Sequence, residues 1–181
     1  TSYNNIGLVY NSMGEYSKSL DHFEKSLEIL KKTLPENHPD FATSYNNIGS
    51  VYDNMGEYSK SLEYHEKSLE IRKKVLPVTH PSLATSYNNI GSVYNSMGEY
   101  SKSLEYYEKS LEIRKKALPA THPDLATSYR NIVCVYAKKT DYKKALDYFE
   151  RALDIFQLSL PSNHPNIQSV KQSIDFLKEK G

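Results

Sequence analysis

Tryptophan is absent from the 181 residues, and cysteine occurs once, at Cys134. A single thiol excludes a disulfide framework and fits a reducing compartment. An excess of either charge is missing too: 23 Lys and Arg stand against 22 Asp and Glu, a formal +1. That balance removes the electrostatic footprint of a dedicated nucleic-acid binder. Apolar residues make up only 38%, low for a compact globule. No apolar run approaches the roughly 20 residues that a membrane-spanning helix needs. No basic or apolar leader opens the chain, so no signal peptide is expected, and the first residues read as a point inside a longer protein. These features suit a cytoplasmic protein that manages without a large core. Tyrosine is the plentiful aromatic, 16 residues against 5 Phe.

What the chain does have is repetition. The string Thr-Ser-Tyr-Asn-Asn-Ile-Gly begins at Thr1, Thr43 and Thr85 and returns, altered, at Thr127, a period of 42 residues. Segments 43–84 and 85–126 differ at six positions, so 42 − 6 = 36 are identical. The prolines fall in two registers, Pro35, Pro77, Pro119, Pro161 and Pro39, Pro81, Pro123, Pro165. Most glycines do the same, as Gly7, Gly49, Gly91 and Gly14, Gly56, Gly98. The divisions expected are repeats at 1–42, 43–84, 85–126 and 127–165, with a capping helix over 166–181 that carries Ile167, Val170, Ile174 and Leu177 on one side and Lys171, Lys178 and Lys180 outside.

Within a unit the pattern is helical. Tyr45, Ile48 and Tyr52 recur at three- and four-residue spacing, which predicts an amphipathic first helix packed on the face of Tyr45, Ile48, Gly49 and Tyr52. Gly56 marks a tight turn. A second helix follows over about Tyr58 to Leu76, its inner stripe formed by Tyr58, Leu62, His65, Leu69 and the stem of Lys73. Glu63→Lys67 and Glu70→Lys74 are Glu-first pairs four apart on its other face. Pro77 ends the helix, and Pro81 starts the next. Small residues (Gly49, Ser61, Ser68, Ala145, Ala152) mark where helices must approach. No strand is expected, and the fold class is all-α. One such helix pair cannot bury both apolar faces, whereas stacked neighbours can, which predicts a solenoid.

The residues Tyr45, Ile48-Gly49, Tyr52, Gly56, Tyr58, Ser61, His65 and Ser68 resemble the tetratricopeptide repeat. The 42-residue period and the phrase Leu-Pro-x-Thr-His-Pro-x-Leu-Ala-Thr-Ser-Tyr-Asn-Asn-Ile-Gly are similar to its kinesin light chain and nephrocystin subgroup. The resemblance covers essentially the whole chain. It implies a right-handed superhelical solenoid of helix–turn–helix repeats that binds other polypeptides along its first helices.

Helix geometry independently selects the open face of those helices. Advancing about 100° per residue, the sector opposite the packing face holds Thr43, Asn46, Asn47, Ser50, Asp53 and Asn54. Stacked repeats would align these into a polar strip with Asn4, Asn5 and Asn11 before them, then Thr85, Asn88, Asn89, Ser92 and Asn95, and finally Asn131. A ladder of amides, each with two donors and an acceptor, can pair with the backbone of an extended peptide. The second Asn of each pair lies at the sector's edge, where bonding the neighbouring helix is the alternative role. The fourth repeat departs from the pattern: Arg130 replaces Asn, Cys134 replaces Ser, and Lys138 and Lys139 follow. This end favours an acidic side chain or a C-terminal carboxylate.

Other chemistry is set aside. His38, His80, His122 and His164 lie one repeat apart, about 10 Å or more for packed helices, too far to share a zinc ion with ligands at about 2.0–2.1 Å. Each is expected to order its own loop before a proline. Cys134 has no acid–base partner in view, and no phosphate-cradling glycine loop exists, so neither enzyme activity, nor a cofactor, nor a metal site is expected. The leading expectation is a peptide-binding adaptor. The alternatives are an assembly module whose repeats stack end to end on other copies, and a segment that recruits substrates within a larger multidomain protein.

Overall fold

The computed structural model describes residues 2–180, the side chain of Lys180 excepted. Thr1 and Gly181, the outermost residues of the expected first repeat and capping helix, lie outside the described residues. Nine helices and no strand occur among the described residues: α1 (Ser2–Ser12), α2 (Tyr16–Thr33), α3 (Pro39–Asn54), α4 (Tyr58–Val75), α5 (Pro81–Ser96), α6 (Tyr100–Ala117), α7 (Pro123–Lys138), α8 (Tyr142–Ser159) and α9 (Pro165–Lys180). The chain divides after Val78 into two compact units. The first pairs α1 with α2 and α3 with α4, with α2 against α3. The second pairs α5 with α6 and α7 with α8, with α6 against α7 and α9 against α8.

The punctuation acts locally. His38, His80 and His122 are N-caps whose Nδ1 accepts the N–H of Asp40, Ser82 and Asp124 at 3.2, 3.1 and 3.2 Å. His164 does the same for Asn166 at 3.2 Å. The following proline occupies the first turn, where its missing N–H has no partner to lose. At the other end, Leu34, Leu76, Leu118 and Leu160 are extended, the conformation a following proline imposes. Between paired helices, Gly14, Gly56 and Gly98 take φ of 76°, 76° and 78°, and Thr140 fills that place in the fourth pair at 57°.

Packing refines the expected stripes. Ile48 and Gly49 are buried, but so are Phe41, Ala42, Ser44 and Val51. Tyr45 and Tyr52 are only half-buried and sit at the seam with α4, where Tyr52 stacks on Tyr64 at 5.5 Å. The reason is geometric: α3 touches both α2 and α4, so its buried arc is wider than one stripe. On α4, Lys73 is exposed, and the inner face consists of Ser61, His65, Ser68 and Leu69. A Cβ on Gly49 would lie 2.9 Å from the His65 ring, and one on Gly91 2.9 Å from Tyr107. Ser19 and Ser103 donate to the carbonyls of Gly7 and Gly91, each at 2.7 Å. Ser68 and Ser110 donate to Ala42 and Ala84 at 2.7 and 2.8 Å. Serine thus serves both as a small contact and as a clasp between helices. In α9, Ile167, Val170, Ile174 and Leu177 are buried while Lys171 and Lys178 are exposed.

Candidate functional site: polar strips on the first helices

The expected strip residues lie on α1 and α3 in the first unit and on α5 and α7 in the second, and each strip is built separately. Thr43 and Thr85 are exposed, and their hydroxyls turn back to the carbonyls of Pro39 and Pro81 at 3.4 and 3.3 Å. Ser50 donates to Asn46 within α3 at 3.1 Å. Asn46 and Ser92 are half-buried. Asp53 is half-buried as well, and burial raises its carboxyl above the usual carboxylate range.

Neighbouring first helices are tied by side chains 43 residues apart. Asn47 Nδ2 donates to Asn4 Oδ1 at 3.4 Å, and Asn54 Nδ2 donates to Asn11 Oδ1 at 3.1 Å. In the second unit, Asn131 Nδ2 donates to Asn88 Oδ1 at 2.7 Å, and Lys138 Nζ donates to Asn95 Oδ1 at 3.1 Å. The second Asn of the pair therefore bonds the neighbouring helix at Asn47 and Asn131, the structural role weighed for it. The recipient is the Asn expected to face ligand. Because the bridges occupy Oδ1 of Asn4, Asn11, Asn88 and Asn95, the amide N–H groups of these four remain without partners among the described residues. Each strip thus presents unspent amide donors at its recipient Asn residues.

The basic end also differs from expectation. Lys138 is committed to Asn95. Arg130 is exposed and has no hydrogen-bond or ion-pair partner among the described residues. It lies one turn from Cys134, which is exposed, and the Cys134→Lys138 spacing extends the same line. The bridges at Asn11 and Asn95 were not foreseen. Their signal was available in the spacing, since a separation of 43 is one repeat plus one residue.

The tyrosines sit off the strips, at the seams between paired helices. Tyr94 stacks on Tyr106 at 5.5 Å and Tyr136 on Tyr148 at 5.7 Å. Lys102 and Lys144 lie over Tyr94 and Tyr136, each at 5.3 Å. Burial raises the phenols of Tyr64, Tyr136 and Tyr148. Arg114 donates to Ser128 Oγ at 2.7 Å and to the Asp124 carbonyl at 3.2 Å, tying α6 to α7. Burial lowers its guanidinium, opposed by the Asp124 charge. No group of three or more His, Cys, Asp or Glu able to hold a metal occurs among the described residues. None of their helices is long and apolar enough to cross a membrane.

Paired antiparallel helices with small-residue contacts, repeated at a fixed period, define an all-α helical-repeat protein. The tetratricopeptide repeat family profile matches residues 1–74 and 82–157, and the chain belongs to that family. No curated protein sequence matches it. Among solved structures, it is similar to a Podosopora anserina protein with nearly identical kinesin light chain TPR-like repeats, at 22% identity over 99% of this chain and 85% of that one, with a TM-score of 0.86. It is also similar to BtubC (BKLC) from P. vanneervenii, at 20% identity over 96% and 69% of the two chains, TM-score 0.84. The apo form of RapI aligns at 21% identity over 98% and 62%, TM-score 0.81. These likenesses carry the fold.

Proposed function

We propose that the protein is a protein-interaction module without catalytic activity, which binds extended polypeptide segments along the donor strips of its first helices. The observation that carries this reading is the set of amide N–H groups on Asn4, Asn11, Asn88 and Asn95 that have no partner among the described residues. An extended peptide offers carbonyl oxygens at regular spacing, which complement such a row. Thr43, Asn46, Ser50, Asp53 and Asn54 flank the first strip, and Thr85 and Ser92 the second. Arg130 gives the second strip a preference for a carboxylate, from a side chain or a C-terminus, because a guanidinium pairs with it through two parallel bonds. No cofactor enters this role. The test is a chemical-shift map with a panel of extended peptides. Shifts should concentrate on α5 and α7 strip residues; shifts confined to α6 and α8 would sink the reading.

A further inference from the structure

The fourth helix pair breaks the repeat at adjoining places, and the breaks converge on one cavity. Where the earlier first helices carry Gly7, Gly49 and Gly91, α7 carries Val133. The aromatic facing those glycines is deeply buried in each case: Phe23 at 0%, His65 at 2% and Tyr107 at 5%. Its counterpart Phe149 is only half-buried, since Val133 occupies the space a glycine leaves for the ring. The amide bridge that ties α5 to α7 also has no successor. Arg130 holds the register of the acceptor Asn, and 43 residues on stands Ser173, which donates to its own helix at Ser169 O, 2.9 Å away. An open cavity of about 400 Å³ results, lined by Val133, Cys134, Ala137, Phe149, Phe176 and Leu177, with serines and a glutamine from α9. Phe176 is 57% exposed at its edge.

We infer that this cavity between α7 and α9 is the anchor site for one bulky apolar side chain of a bound peptide, whose neighbouring carboxylate pairs with Arg130. The inference rests on the strip reading above and names the ligand chemistry at its basic end. Charge selects the occupant. Arg130 is an exposed guanidinium one turn from Cys134 with no partner among the described residues, so an apolar group entering the cavity is best accompanied by an acid. The volume lies at the lower end of the range of small-ligand pockets, ample for a Leu or Phe side chain. Such a buried anchor dominates the affinity of an interface of this kind.

The protein carries its own reporter, because Cys134 lines the cavity and is the only cysteine. The probes are fluorescent nine-residue peptides with Phe or Leu two residues from a carboxylate. One arm supplies the carboxylate as Asp in an amidated peptide; the other supplies it as a free C-terminus. Saturating peptide should slow alkylation of Cys134 by iodoacetamide. Replacing Phe or Leu by Ala should weaken binding roughly tenfold or more, and Arg130→Asn, which restores the residue of the other repeats, by a similar factor. The arm that binds more tightly identifies the source of the carboxylate. Unchanged alkylation under saturating peptide, or equal affinity for the Ala peptide, overturns the anchor. Alkylation that slows with protein concentration alone assigns the cavity to a second copy and overturns it also. Binding lost in Asn88→Asp with Cys134 unprotected leaves the strip standing and removes the anchor. Protection of Cys134 that Asn88→Asp leaves intact keeps the anchor and removes the strip.

Discussion

His65 occupies the register that Phe23, Tyr107 and Phe149 hold in the other helix pairs, and it is 2% exposed with Nδ1 unpartnered. Burial first, then the charge of Arg72, lowers its pKa to about 4. Below the ordinary value near 6.5, the unfolded chain takes up a proton that the folded chain refuses. Stability is therefore unaffected above that value and falls as pH drops toward 4, by up to about 3 kcal/mol from this residue. His65→Phe should flatten the loss of stability between pH 7 and pH 4.5 in urea titrations; an equally steep loss would contradict the account. Ser61, one turn before it, has a buried hydroxyl with no partner, whereas Ser103 donates to the Gly91 carbonyl. Ser61→Ala should thus be neutral or stabilising, as Ala145 is tolerated in the fourth pair, while Ser103→Ala costs about 1 kcal/mol. Thermal melts of the two variants distinguish them. The sequence marked Ser61 as a small residue where helices approach, because register is a matter of periodicity. It could not separate a satisfied serine from an orphaned one, since that depends on sub-ångström placement of a hydroxyl against a carbonyl.

Helix ends and turns were the most legible elements, because proline, glycine and the capping histidines act within a few residues of themselves. The buried arc of α3 was less so: Val51 and Ser44 are inside only because α2 covers them, a partner that a single-helix periodicity does not register. The turn between α7 and α8 shows the cost of a lost signal. Thr140 adopts φ 57° where the other turns use glycine, a conformation that a β-branched residue takes under strain. Thr140→Gly should raise stability by about 1 kcal/mol, read as a higher Tm; no change or a fall would show the strain is absent. The contact at Gly91 works in the opposite direction. Gly91→Ala places a Cβ 2.9 Å from the buried Tyr107 ring and should cost about 1–3 kcal/mol. A melt unchanged from the parent would mean the ring yields freely.

Across the whole molecule, repetition fixed the all-α fold and the helices that bear the strips. The strips' polarity was hidden. An Asn row read from sequence offers donors and acceptors alike; only the bridges at a spacing of 43 residues show which amides accept from a neighbouring helix and keep their N–H groups for other partners. The cavity beside Arg130 was hidden for a related reason, since it arises from Val133, Phe149 and α9 together. The most direct test exchanges donor for acceptor without disturbing the bridge. In Asn88→Asp with Asn95→Asp, each new carboxylate can still accept from Asn131 or Lys138, but the free N–H groups are gone. The account predicts a Tm within a few degrees of the parent and peptide affinity reduced more than about tenfold, since each lost donor is worth about 1 kcal/mol and a repelling oxygen replaces it. Unchanged affinity in a folded double variant would contradict it.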